Sequence, residues 1–141
     1  MKLRRPILIG KILLDNTGLA TAYFPRTAMG RVDLNAPELP AGSVDLLALK
    51  TLLGGPRHGY GIAQRIRELS GDVLALGESS LYTSLQRLLL NGWVTAEWGT
   101  SENNRRARYY TLTAAGRKHL QVQTQEFEFV VSAIQRVLRT A

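Results

Sequence analysis

Cysteine is absent from the 141 residues, which removes disulfide frameworks, thiolate zinc sites and cysteine nucleophiles together and suits a reducing compartment. Long apolar runs are lacking too, none approaching the ~20 residues that span a bilayer. Residues 1 to 14 have a basic head in Lys2, Arg4 and Arg5 followed by Ile7, Leu8 and Ile9. Lys11 breaks that stretch and no clean cleavage site follows, so no signal peptide is read. Histidine is scarce: His58 and His119 stand far apart, neither with an Asp, Glu or His at metal-ligand spacing. The acidic residues are scattered singly and the glycines form no phosphate-binding loop. No enzyme, metal or other cofactor is expected, nor a membrane partner, and the expected location is the cytoplasm.

What is present points elsewhere. An apolar fraction of 45% with 21% charged residues can bury a core, and the length suits one domain with an appended helix. The net charge of +7 favours polyanionic partners, because Lys and Arg gain free energy by releasing the counterions condensed on phosphates. Residues 1 to 37 supply +4 of it, from six basic and two acidic side chains. That segment carries Pro6, Gly10, Gly18, Pro25, Gly30 and Pro37 without helical or strand period. It reads as a poorly ordered extension, with Met29 as an alternative start of translation.

From Pro40 the patterning sharpens. Ser43 is read as the cap of a helix with Val44, Leu47, Leu52 and Leu53 on one side, stopped by Gly54, Gly55 and Pro56. His58, Gly59 and Tyr60 lead into a second helix, with Ile62, Ala63, Ile66 and Leu69 on one face and its end at Ser70 and Gly71. A third spans 77 to 91, capped by Ser79 or a neighbour, with Leu81, Leu85, Leu88 and Leu89 inward. Trp93, Val94, Ala96 and Trp98 read as a strand, 99 to 105 as a polar turn and 107 to 112 as the return strand. Three helices and then a hairpin is the order of a winged helix-turn-helix, a mainly α fold with a small β hairpin.

Thr113 is read as the cap of a last helix in which Leu120, Thr124, Phe127, Val131, Ile134 and Leu138 alternate spacings of four and three. A second stripe, Val122, Phe129, Val130, Ala133 and Val137, leaves more apolar surface than one small domain covers. A second copy of the chain is the economical cover, through Leu120, Phe127, Val131, Ile134 and Leu138. The expected organisation is thus an extension (1–37), a DNA-binding winged helix-turn-helix (38–112) and a dimerisation helix (113–141).

Two clusters could carry function. On the third helix, Ser79, Ser80, Tyr82, Thr83, Gln86 and Arg87 form a polar side opposite the leucines, able to hydrogen-bond phosphates or base edges in a major groove. A solvated helix surface would look the same. In the hairpin turn, Asn103, Asn104, Arg105 and Arg106 are suited to gripping the backbone and the adjacent minor groove, though turns are also polar for solubility alone. Together the clusters inform more than either does alone.

The stretch from Asp45-Leu46-Leu47-Ala48-Leu49-Lys50 through His58-Gly59-Tyr60, Ser80-Leu81-Tyr82, Leu88, Gly92-Trp93, Arg105-Arg106, Tyr109-Tyr110 and Leu112-Thr113-Ala114-Ala115-Gly116-Arg117 resembles the PadR family of bacterial transcription regulators. The resemblance covers roughly residues 39 to 120 and lies in several short motifs in one order. It implies a homodimer joined by the C-terminal helix, usually a repressor that lets go of DNA when a small-molecule effector binds. It also implies Ser80, Tyr82, Gln86 and Arg87 on the DNA-reading helix and Arg105 and Arg106 on the wing. Thr83 departs from the proline common after Ser-Leu-Tyr. The single last helix is similar to the smaller subfamily, but it lacks the tryptophans between which some members hold flat aromatic compounds. Phe127 and Phe129 are its only aromatics and are read as packing residues. The rival readings are a dimeric winged-helix adaptor for other proteins and, more weakly, a small enzyme formed at the dimer interface.

Overall fold

Glycine, rather than serine, opens the first helix. In the computed structural model, which describes residues 39–40 and 42–140, helix α1 spans Ser43–Thr51 and its N-cap is Gly42, at φ 83°. Such a left-handed backbone favours glycine. Ser43 is therefore not the cap: it lies inside the first turn and is buried. Of the expected face, Leu52 is buried and Val44 and Leu47 pack half-buried against the core, but Ala48 and Leu49 are buried more deeply and Leu53 is exposed. Four consecutive apolar residues, Leu46 to Leu49, give α1 no clear direction from sequence, so its neighbours choose its face.

A 3-10 turn over Leu52–Gly54 closes α1, and the Arg57 Nε donates to the Thr51 carbonyl at 3.2 Å, satisfying part of the helix end. Strand β1 is only Arg57–His58, too short for an alternation to reveal. Helix α2, Gly59–Leu69, follows at once. Its N-cap is His58, whose Nδ1 accepts from the Gly61 N–H at 3.0 Å. The expected stripe of Ile62, Ala63 and Ile66 is buried, whereas Leu69 is exposed.

Helix α3, Glu78–Leu90, starts from Gly77 without a side-chain cap, so Ser79 stands within its first turn. Strands β2, Val94–Thr100, and β3, Arg106–Leu112, form the hairpin. β1 adds to its free side, giving an antiparallel sheet of order β1-β3-β2, in which Arg57 pairs with Tyr110 and His58 with Tyr109. Leucines 81, 85 and 88 of α3 meet the α1 and α2 faces and Val94, Tyr110 and Leu112 of the sheet in one core. Tyr110 is wholly buried, and burial pushes its hydroxyl up to about 12.

Helix α4, Ala114–Leu138, begins at the expected cap: the Thr113 Oγ1 accepts from the Gly116 N–H at 2.9 Å and donates to the Gly92 carbonyl at 2.8 Å. Leu120 is buried in the core of its own chain, so it stands apart from the seam in which the 4,3 spacing placed it. Beyond it Phe127, Phe129, Val130, Ile134, Val137 and Leu138 are exposed and Val131 is half-buried. At 1.5 Å per residue the helix is about 37 Å long, and its second half carries most of that bare apolar surface. The extension expected over residues 1 to 37, with Met29, lies outside the described residues.

Candidate nucleic-acid interface

Two flanks of α3 reach the surface, and the residues expected to read DNA divide between them. Ser79, Ser80 and Thr83 are exposed beside a hollow shared with Gly42, Val44 and Asp45 of the α1 end. Tyr82 and Gln86 lie half-buried. The Gln86 Nε2 has no hydrogen-bond partner among the described residues, an unmet donor at the edge of the polar face. The Thr83 hydroxyl donates to the Ser79 carbonyl one turn back at 2.9 Å. Thr83 thus fills its place after Ser-Leu-Tyr by bonding to its own helix, and its oxygen can still accept.

Arg87 is engaged within the protein. Its Nε donates to Asp45 Oδ2 and its Nη2 to Asp45 Oδ1, both at 2.8 Å, a bidentate pair joining α3 to α1. The Ser84 hydroxyl donates to the same carboxylate. Burial raises the Asp45 carboxyl, but the hydrogen bonds from Arg87 and Ser84, with the Arg87 charge, outweigh it and hold the group below its ordinary value of 3.8. A carboxyl lowered by folding stabilises the protein above its unfolded value and loses that contribution as pH falls through the folded one. Asp45→Asn is therefore expected to cost about 1 kcal/mol near neutrality. Its thermal midpoint should converge on that of the native chain below about pH 4. Parallel melting curves from pH 7 to 2.5 check this, and a constant gap across that range would contradict it.

The hairpin turn is built from inside. Ser101 is buried, its N–H donating to the Arg105 carbonyl at 2.7 Å and its Oγ accepting from the Arg105 N–H at 3.2 Å. Asn104 takes φ 58°, a left-handed conformation that Asn tolerates better than most residues. Asn103, Asn104, Arg105 and Arg106 are then carried outward, all exposed. Glu102 turns back instead: its Oε1 lies 2.9 Å from Nε2 of the buried His58. His58 Nδ1 already accepts from Gly61, so the ring hydrogen sits on Nε2 and is donated to Glu102. That bond holds the Glu102 carboxyl below its usual range.

One face of the hairpin is closed by Tyr109. Its hydroxyl donates to the Thr100 carbonyl at 2.9 Å and its ring meets His58 edge-on at 5.3 Å. On the other face Trp98 carries arginines, with the Arg106 guanidinium carbon 4.3 Å and that of Arg108 5.9 Å from the indole centre. Trp98 is expected in the first hairpin strand, but neither it nor Arg108 is among the residues expected to bind DNA; the signal is the cross-strand register, which a two-residue alternation supplies.

Behind α3, α1 and α4 flank a groove of about 500 Å³ whose lining includes Leu46, Leu49, Arg87, Trp93, His119, Phe127 and Ile134. Trp93 and His119 stack at 3.4 Å between ring centres, so His119 packs against the body rather than facing solvent freely. Among the described residues no group of His, Asp and Glu could hold a metal ion, and no helix is long and apolar enough to cross a membrane.

A model of the transcriptional regulator PadR-like family matches residues 48–122. A protein of Lysinibacillus sphaericus is 28% identical over 93 residues, 66% of this chain and 85% of that one. The structure of a transcriptional regulator from Clostridium thermocellum is 32% identical, with a TM-score of 0.61 over 67% of this chain and 92% of that one. A PadR family transcription regulator from Clostridium difficile is 27% identical, with a TM-score of 0.59 over 69% of this chain and 99% of that one.

Proposed function

Because this chain belongs to the PadR-like family of transcriptional regulators, we propose that it is a cytoplasmic, homodimeric repressor that reads an operator with α3 and its wing and is released by a small-molecule effector. The observation that carries the reading is the pairing of an exposed polar α3 face with an outward-facing basic turn on the hairpin that follows it. Ser79, Ser80, Tyr82, Thr83 and Gln86 would enter the major groove, with Asn103, Asn104, Arg105 and Arg106 on the flanking backbone and minor groove. Arg87, held by Asp45, sets the angle of α3 against α1 rather than reading bases.

In this reading residues 38–112 are the DNA-binding unit and 113–141 the dimerisation helix, joined to its twin through Phe127, Val131, Ile134 and Leu138. Two copies of α3 would then meet an inverted repeat about one turn, ~34 Å, apart. The groove between α1 and α4 has a volume within the range of small-molecule sites, which supports an effector. An occupant touching Arg87 there would pull directly on α3.

Titration of the DNA upstream of its own gene, against a scrambled duplex at several salt concentrations, tests the function. Expected is tighter binding to the upstream duplex, with log K falling by about 0.9 per phosphate contacted for each unit of log salt. Equal binding to both would reduce the protein to a general nucleic-acid binder. No binding to either would favour the adaptor reading.

A further inference from the structure

We infer that Trp98 is a positioning residue of the DNA interface, its indole holding Arg106 and Arg108 as a fixed pair of cations for backbone phosphates. The inference rests on the wing's proposed contact with DNA and goes beyond it, because the work is assigned to an aromatic side chain rather than to the charges. Trp98 pairs with Arg108 across the hairpin, and Arg106 lies two residues further towards the turn on the same side. That side also carries Val94, Tyr110 and Leu112, all buried in the core. Trp98 therefore sits, half-buried, where the core face of the sheet runs out towards the turn.

Ordinary packing would account for a tryptophan there, but it does not account for the charges. Two guanidinium groups lie within 6 Å of one indole. Among the described residues no carboxylate pairs with either, the ion pairs of the domain involving His58, Arg65, Arg67 and Arg87 instead. Neighbouring like charges without a counter-charge repel in the free protein, and an anion placed across them relieves that repulsion. The indole meanwhile holds the planar guanidinium groups against its face, which removes rotamer freedom before DNA arrives. Phosphate oxygens suit this arrangement because they accept several N–H donors at once and carry the missing charge.

The test uses the full chain and a mixed-sequence DNA duplex, since phosphate contacts do not depend on base sequence. Trp98→Leu keeps apolar bulk and removes the ring, while Arg106→Lys keeps the charge and removes the planar group. Each is expected to weaken binding about fivefold while the protein stays folded at the temperature of the titration. Trp98→Phe should bind within about twofold of the native chain, and the Leu/Lys double variant no more weakly than Trp98→Leu alone. The salt dependence should be unchanged in Arg106→Lys and shallower in Arg106→Ala. Native-like affinity in Trp98→Leu or Arg106→Lys, with Arg106→Ala weakened, overturns the positioning role and leaves the DNA contact standing. Native-like affinity when Arg106 and Arg108 are both alanine overturns both. Should Trp98→Leu fail to fold, the exposed Arg106→Lys variant and Trp98→Phe decide the matter.

Discussion

Gly116→Ala is expected to destabilise the protein by about 3 kcal/mol, lowering its thermal midpoint by more than about 10 °C. On helix propensity alone the change would be favourable by up to about 1 kcal/mol, since alanine is the better helix former. Space decides otherwise. A Cβ on Gly116 would stand 2.0 Å from the Trp93 carbonyl oxygen, 2.8 Å from its carbon and 2.9 Å from a Leu112 methyl. The obstacle is backbone, and it is pinned: the Trp93 carbonyl accepts from the Thr113 N–H at 3.1 Å and the Trp93 N–H donates to Leu88 at 3.0 Å. To make room α4 must lift away, losing the Thr113 cap and loosening the contact of Leu120 with the core. Calorimetry of the variant checks this. A midpoint at or above the native value would mean that α4 rises off the sheet at no cost.

The second large effect concerns association. Ile134→Asn with Leu138→Asn is expected to yield a monomer that binds DNA at least about a hundredfold more weakly, because tethering two half-site readers multiplies affinity without new contacts. These side chains are 52% and 76% exposed, so polar replacements barely disturb the protomer itself. Asn is neutral, so a loss of affinity would not stem from altered charge. Sedimentation velocity and DNA titration on the same sample settle it. A variant that remains dimeric and binds as before would move the seam to another face of α4.

Much of the fold was legible because local signals agreed: Ile62, Ala63 and Ile66 show one face, and Thr113 starts α4 where its side chain must. The misreadings have physical causes. At α1 the left-handed backbone of Gly42 displaced Ser43 as the cap, whereas α3 begins at Glu78 after an extended Gly77, so Ser79 falls inside the helix rather than before it. Leu120 fits a coiled-coil spacing, yet periodicity names a face without naming what covers it. At the interface, exposure of Ser79 and Thr83 follows from amphipathic pattern, and that of Arg105 from its place in a polar turn. The Asp45–Arg87 pair and the His58–Glu102 bond, 42 and 44 residues apart in sequence, exist only once the core has brought α1 to α3 and β1 to the turn.

His58 carries a consequence for how an operator would be gripped. One imidazole is tied through one nitrogen to the start of α2 and through the other to the turn of the hairpin. Neither half of the domain can swing without breaking that link, so in the proposed dimer each subunit would meet DNA as a jaw of one shape. In a dimer of such jaws, tolerance to the distance between half-sites would reside in the handle, α4. Operators of different spacing would then be told apart by how far the calliper opens, not by how far its tips bend.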